Sequence, residues 1–198
     1  MRVALGLKAR TGRAWLVAVG DDGQALQVVE RRELPLLPPG RFAPYHAAET
    51  LSPAAARASV ERDIAVAHEL AAAGIREAVA RLKAAGHEVV GAGVLTGPGL
   101  PPWSTDEIIA VHIRMHQAEG VLFRDVLVAG VQACGLPLAT LQDKTALDDA
   151  AQALGWPPTR LAALLTALGK AAGPPWTTYQ KAAAAAALVA LLGSAATD

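Results

Sequence analysis

The stretch ALGLKARTGRAWLVAVG, residues 4–20, decides the fold. Two apolar runs lie on either side of Thr11-Gly12, and a glycine-containing pair between two such runs predicts a tight β-hairpin. A third run, ALQVVERRE at 25–33, follows the turn-forming sequence GDDG. The chain therefore begins with three antiparallel strands that are joined by short turns.

The rest of the chain predicts long helices that alternate with buried strands. Ser52-Pro53 suits the cap and first residue of an Ala-rich helix that ends near Gly86, and Gly74 can bend or split this helix. STDE at 104–107 is a capping box, which predicts one helix from there to Gly135. The other expected elements are strands at 87–95 and 136–142, helices near 145–154 and 158–172, and a terminal helix that TTYQ opens at 177–180.

Length and charge limit the functions that need consideration. With 198 residues, of which 53% are hydrophobic, we expect a single domain over 1–198 with a Pro-rich connector at 34–52. The formal net charge is zero, so no overall field attracts nucleic acid or an anionic membrane. A polyanionic partner would need a local basic patch, and basic residues gather near the amino terminus: Arg2, Lys8, Arg10, Arg13, Arg31, Arg32 and Arg41.

Compartment and membrane association follow from two features. The single cysteine, Cys134, excludes an internal disulfide, and the first twenty residues do not resemble a signal peptide. The longest Ala/Leu/Val run, Ala182 to Leu192, has eleven residues, too few to span a bilayer core of about 30 Å. We expect a cytoplasmic protein without a membrane segment, in which this run forms a buried helix.

The order of elements resembles the ribonuclease H-like superfamily and, within it, the RuvC-like Holliday-junction resolvase branch. VALGLKARTGRAWLVAV is similar to the family's opening strand, glycine turn and return strand. AEGVLFRDVLVAGVQACGLPLATL is similar to its mid-chain helix and following strand, and QKAAAAAALVALL to its closing helix. The resemblance implies an α/β fold with a mixed five-stranded sheet flanked by helices.

The resemblance also implies a catalytic centre whose ligands are missing from this chain. Enzymes of this fold cut phosphodiesters with two metal ions about 4 Å apart, held by carboxylates from the first strand, the fourth strand and the last helix. Here Lys8 occupies the first position, and no Asp or Glu occurs in 3–20, 89–105 or 171–197. We therefore expect a nuclease-inactive protein, a binding or scaffolding module whose candidate partners are nucleic acid or a protein of the nucleic-acid machinery.

A basic centre in place of the acidic one suggests an anion site. Lys8, Arg10 and Lys181 are the candidate anion-binding residues, because Lys8 and Lys181 would converge where the resemblance places carboxylates, and helix amino-terminal amides favour anions. A phosphate would fit there. The alternative is that Lys8 extends its ammonium into water and that Lys181 is an ordinary helix lysine.

Histidines on an apolar helix face form the second candidate site. At 100° per residue, His112, His116 and Glu119 share the face that carries the apolar residues, so they are expected to point inward. His112 and His116 are i and i+4, a spacing that lets two imidazoles share a metal, and PYHAAE in the connector adds His46 and Glu49. A buried polar network, a metal or hydrolytic site, and simple solvent exposure all remain open.

Three functions follow from these features. The first is the non-catalytic binding module, for which no cofactor is expected. The second is a metal-dependent hydrolase whose relocated centre uses His46, His112, His116 and Glu119 with a divalent transition metal; its metal candidates are the last three of these. The third is a structural homodimer formed through the apolar terminal helix.

Overall fold

The computed structural model describes residues 1–193 and contains one mixed five-stranded sheet. Its strands are β1 (Arg2–Arg10), β2 (Arg13–Asp21), β3 (Leu26–Pro35), β4 (Glu88–Thr96) and β5 (Leu138–Gln142). Their order across the sheet is β3-β2-β1-β4-β5. β1 pairs antiparallel with β2 and parallel with β4, and β4 pairs parallel with β5. The predicted sheet is confirmed.

Helices cover both faces of this sheet. They are α1 (Pro44–Ala48), α2 (Pro53–Ala84), α3 (Thr105–Ile109), α4 (His112–Ala133), α5 (Ala146–Ala153), α6 (Pro158–Ala172) and α7 (Thr178–Gly193). α2 and α4 share one apolar core with the sheet, and α5 to α7 share a second core with its opposite face. Gly74 lies inside α2, which continues through it as one helix. Within residues 1–193, no helix is long and apolar enough to cross a bilayer.

Small residues let α7 lie directly on the central strands. A Cβ added to Gly6 of β1 would lie 1.7 Å from the Ala183 carbonyl oxygen, and one added to Gly93 of β4 would lie 2.1 Å from that of Ala186. Only glycine fits at so close an approach. The helix is therefore buried, as predicted, and for that reason the expectation that α7 joins two copies of the chain is wrong; a homodimer through another surface stays a prediction.

The single helix predicted from 104 to 135 is wrong, because the chain forms α3 and α4 with a break between them. Val111, at the break, has an extended backbone with φ −136° and ψ 109°. Arg114 stabilises the end of α3: its Nη1 donates to the Glu107 carbonyl oxygen at 3.0 Å, and its guanidinium lies over the Trp103 ring. The break lets α3 pack with α1, α2 and the first turns of α4 around a separate apolar cluster.

The connector predicted at 34–52 contains more structure than expected. β3 extends into it as far as Pro35, and α1 forms at Pro44–Ala48. Tyr45 and Ala48 of α1 are buried in the same cluster as Ile108 and Met115. This packing places the connector beside the amino-terminal end of α4.

Candidate functional site

A cleft of about 380 Å³ opens at the carboxyl end of β1, between α4 and α7. Ligands of open α/β sheets bind at this edge, outside the carboxyl ends of the strands. The cleft carries three cationic side chains and one acidic one. Its lining residues are Lys8, Ala9, Arg10, Thr11, His116, Gln117, Gly120, Phe123, Arg124, Asp143 and Tyr179.

Lys8 is held inside the cleft and does not extend into water. Its ammonium forms an ion pair with Asp143, the residue that follows β5, and lies 5.4 Å from the ring centroid of Tyr179 on α7. Only 13% of the Lys8 side chain is exposed. Sequence reasoning missed Asp143, although its position just after a strand parallel to β4 is a signal for this edge of the sheet.

Arg10 and Arg124 supply the cleft's remaining positive charge. Arg10 is exposed, and its guanidinium lies 5.2 Å from the ring centroid of Tyr179. Arg124 donates from Nη2 to the Pro98 carbonyl oxygen at 3.2 Å. Within residues 1–193, neither arginine has a carboxylate within ion-pair distance. Lys181, half-buried in the first turn of α7, is not among the residues that line the cleft.

Most of the other basic residues near the amino terminus are engaged elsewhere. Arg31 donates to the carbonyl oxygens of Gly173 and Pro174 at 2.8 and 3.0 Å, which ties β3 to the loop before α7. Three further arginines form ion pairs: Arg13 with Glu33, Arg32 with Glu30 and Glu77, and Arg41 with Asp63. The basic patch predicted near the amino terminus therefore persists mainly at the end of β1.

Three histidines meet beside the cleft. The ring centroid of His46 lies 5.0 Å from that of His112 and 4.5 Å from that of His116. The Nε2 atoms of His112 and His116 are 3.1 Å apart. One nitrogen from each of the three rings lies within 4.8 Å of the other two. The structure thus brings together three of the four residues of the predicted relocated centre, and His116 also lines the cleft.

Glu119, the fourth residue, lies behind the cluster. Its Oε1 is 2.9 Å from His46 Nδ1 and accepts from the backbone N–H groups of Tyr45 and His46 at 3.2 and 3.3 Å. The carboxylate therefore satisfies two amides in the first turn of α1, a helix without a side-chain cap of its own. Burial, and then the charge of Glu119, raise the pKa of the Tyr45 hydroxyl.

The prediction that His112 and His116 point inward is wrong. Both are exposed, whereas Glu119 is buried. The helical period did place them on the correct side of α4, but the first turns of this helix lie beyond the sheet, against α1 to α3. There the side chains of His112 and His116 lie against the His46 ring at the edge of the short α1 and stay exposed to solvent. Glu49 is exposed and does not join the cluster.

Comparison with known proteins gives a structural likeness only. No protein-family model matches the chain, and no curated protein sequence matches it. Among solved structures, Thermus thermophilus RuvC is similar over 98% of this chain and 97% of its own, with a TM-score of 0.55 and 12% identity. T. thermophilus RuvC in complex with a Holliday junction substrate is similar over 100% and 98%, with a TM-score of 0.54 and 11% identity.

The fold is RuvC-like. The predicted ribonuclease H-like architecture is thereby confirmed. At this level of identity the likeness extends to the fold and not to the chemistry, so function has to be argued from the cleft and the histidine cluster.

Proposed function

We propose that this protein is a nuclease-inactive RuvC-like module that binds nucleic-acid phosphates in the cleft at the end of β1. The observation that carries the proposal is the charge of that cleft. Lys8, Arg10 and Arg124 line it, and its one acidic lining residue, Asp143, is engaged by the ammonium of Lys8. An excess of positive charge in a concave site attracts phosphates.

The same charges oppose the two-metal chemistry of nucleases with this fold. Hard divalent cations require several oxygen ligands, usually carboxylates. In this chain an ammonium lies on β1 where the resemblance implies the first carboxylate, and the start of α7 contributes Tyr179 and Ala182 to this region. Repulsion from Lys8 would weaken the binding of any metal ion that Asp143 attracted.

Tyr179 adds a second means of contact with nucleic acid. Its ring lies beneath both Lys8 and Arg10 at the mouth of the cleft. Aromatic rings combined with basic side chains are the usual elements of sequence-tolerant binding to single strands and exposed bases. The solved RuvC complex contains a Holliday junction, which makes a four-way DNA junction the first ligand to test.

The test measures fluorescence anisotropy with a labelled four-way junction, a duplex and a single strand at several salt concentrations. Replacing Arg10 or Arg124 with alanine should weaken binding about tenfold or more, because each contributes a charge-assisted bond to phosphate. Each replacement should also reduce the slope of log K against log salt by about one. Arg62→Ala, which removes a charge from an exposed position on α2, is the matched control and should change neither quantity.

Cleavage is measured on the same junction with Mg²⁺ or Mn²⁺, and we expect none. Two results would overturn the proposal. One is binding that is insensitive to Arg10 and Arg124 while each variant keeps its wild-type melting temperature. The other is metal-dependent cleavage that disappears in an Asp143→Asn variant.

The second candidate function is a metal-dependent hydrolase with a relocated centre, and the convergence of His46, His112 and His116 favours it. Glu119 is buried and bonded to His46, so it would orient that ring and would not act as a general base. Phosphodiester and carboxylic-ester substrates, assayed with Zn²⁺ or Mn²⁺ against a His112→Ala control, test this function. The hydrolase function is excluded if no turnover is observed, or if the His112→Ala variant keeps the wild-type turnover.

A further inference from the structure

The histidine cluster at the junction of α1 and α4 has the features of a metal site. We propose that His46, His112 and His116 together bind one divalent transition-metal ion of the zinc class and leave one coordination position open. Glu119 acts as the positioning residue for His46. The proposal goes beyond the nucleic-acid binding proposed above, and it requires neither that binding nor hydrolysis.

His46 is already oriented as a ligand. Nδ1 is bonded to the Glu119 carboxylate at 2.9 Å, which leaves Nε2 as the ring nitrogen that is available to a metal ion. A carboxylate behind a ligating imidazole is the usual support of metal-binding histidines, because it fixes both the tautomer and the ring orientation. Three N–H groups hold the carboxylate itself in place.

The second ring nitrogen of His46 lacks a hydrogen-bond partner among the described residues. His46 Nε2 is buried and, within the part of the chain that the structure describes, makes no hydrogen bond. A buried polar atom without a partner is costly. The rings of His112 and His116 lie beside that of His46, so a metal ion shared with them would satisfy it.

The other two imidazoles have the spacing of a chelating pair. His112 and His116 lie one turn apart on α4, and their Nε2 atoms are 3.1 Å apart. Two nitrogens bound to one tetrahedral zinc ion are expected about 3.3 Å apart. The break between α3 and α4 makes His112 the first residue of its helix, one turn before His116.

The ligand set limits the class of metal. Three neutral imidazoles suit Zn²⁺, Co²⁺, Ni²⁺ or Cu²⁺, whereas Mg²⁺ and Ca²⁺ prefer oxygen ligands. Three histidines leave a fourth position for water or an anion. Because His116 also lines the basic cleft, an ion held here would adjoin the proposed phosphate site.

The experiment uses the full chain after dialysis against a chelator. Co²⁺ is titrated in and followed by its visible absorption, and Zn²⁺ affinity is measured by competition with a chromophoric chelator. We expect one ion per chain, with a dissociation constant for Zn²⁺ of about 1 μM or tighter. His46→Ala, His112→Ala and His116→Ala should each weaken binding at least about a hundredfold, and His68→Ala, which changes an exposed histidine on α2, should not.

Glu119→Gln tests the positioning role separately. An amide in place of the carboxylate should weaken metal binding about 10- to 100-fold and alter the visible spectrum of the Co²⁺ complex. The melting temperature and near-ultraviolet circular dichroism of the metal-free variant show whether α1, which carries His46, keeps its place. Weaker metal binding in a variant that matches wild type in both properties supports the positioning role, whereas an unchanged affinity and spectrum would contradict it.

Two results would overturn the metal site. One is Zn²⁺ binding weaker than about 100 μM in the folded wild-type protein, which would make the cluster a group of packed imidazoles only. The other is tight binding that survives replacement of His112 and His116. Either result would leave the junction-binding measurements unaffected, so failure of this site is distinguishable from failure of the proposed function.

Discussion

Gly6→Ala probes the close approach of α7 to β1. The added methyl carbon would lie 1.7 Å from the Ala183 carbonyl oxygen and 2.9 Å from the Ala187 amide nitrogen, whereas ordinary contacts begin near 3.4 Å. The clashing atoms belong to the backbone, so no side-chain rotation relieves them. The helix would have to move away from the strand by about 1.7 Å to restore an ordinary contact.

Such a shift costs much free energy because the middle of α7 is wholly buried. Ala183 to Leu188 are 0% exposed, and a gap of 0.5–1 Å already loses about a quarter to a half of the dispersion energy of a contact. Overpacking normally costs about 1–3 kcal/mol. With rigid backbone on both sides, we expect about 4 kcal/mol or more, which lowers the melting temperature of a domain of this size by at least about 8 °C.

The assay is thermal unfolding followed by circular dichroism and calorimetry, supported by urea titration. Gly120→Ala is the matched control: Gly120 lies within α4, and no atom lies within 4 Å of the position that an added methyl carbon would take, so the replacement should stabilise the protein by up to about 1 kcal/mol. A Gly6→Ala protein that melts within about 2 °C of wild type would refute the described packing of α7 on the sheet.

Two further predictions concern the cleft and the start of α3. Asp143→Asn removes the carboxylate that neutralises Lys8, so junction affinity should rise several-fold and the salt slope should steepen by about one; unchanged anisotropy titrations would contradict this. Ser104→Ala removes the hydroxyl half of the capping box that Ser104 forms with Glu107 and should lower the melting temperature by about 2–4 °C. Because bonds from the Ser104 backbone and hydroxyl lower the pKa of Glu107, the stabilisation from its carboxylate should be complete above the ordinary pKa of a glutamate and be lost as the pH falls through the lowered one. The variant keeps the backbone bond, so thermal melts from pH 7 to pH 3 should show this pH dependence reduced in the variant and not abolished.

The sheet and its large helices follow from local sequence signals. Thr11-Gly12 between two apolar runs marks the opening hairpin, and Ser104 with Glu107 forms the capping box that the sequence predicts. The small side chains of the Ala-rich run permit α7 to lie directly against Gly6 and Gly93. The order of β3, β2 and β1 then follows from the short connections between these three strands.

The two sites depend on contacts between residues that are far apart in the sequence. Asp143 reaches Lys8 across 135 positions of sequence, because β1, β4 and β5 run parallel and their carboxyl ends therefore lie at one edge of the sheet. The helix α1 has no cap in its own sequence and uses Glu119 of α4 instead. Sequence reasoning selected all four residues of the His/Glu group, but their exposure depended on where α4 extends beyond the sheet.

We propose that the end of β1 does not hold the pair of metal ions of a nuclease, and the proposed binding of phosphates there depends on this. Anomalous diffraction from crystals soaked in Mn²⁺ tests it most directly, because it locates each bound ion relative to Lys8, Asp143 and Tyr179. We expect no manganese among these three side chains. Two manganese peaks about 4 Å apart at the end of β1, the spacing of a two-metal nuclease centre, would contradict it.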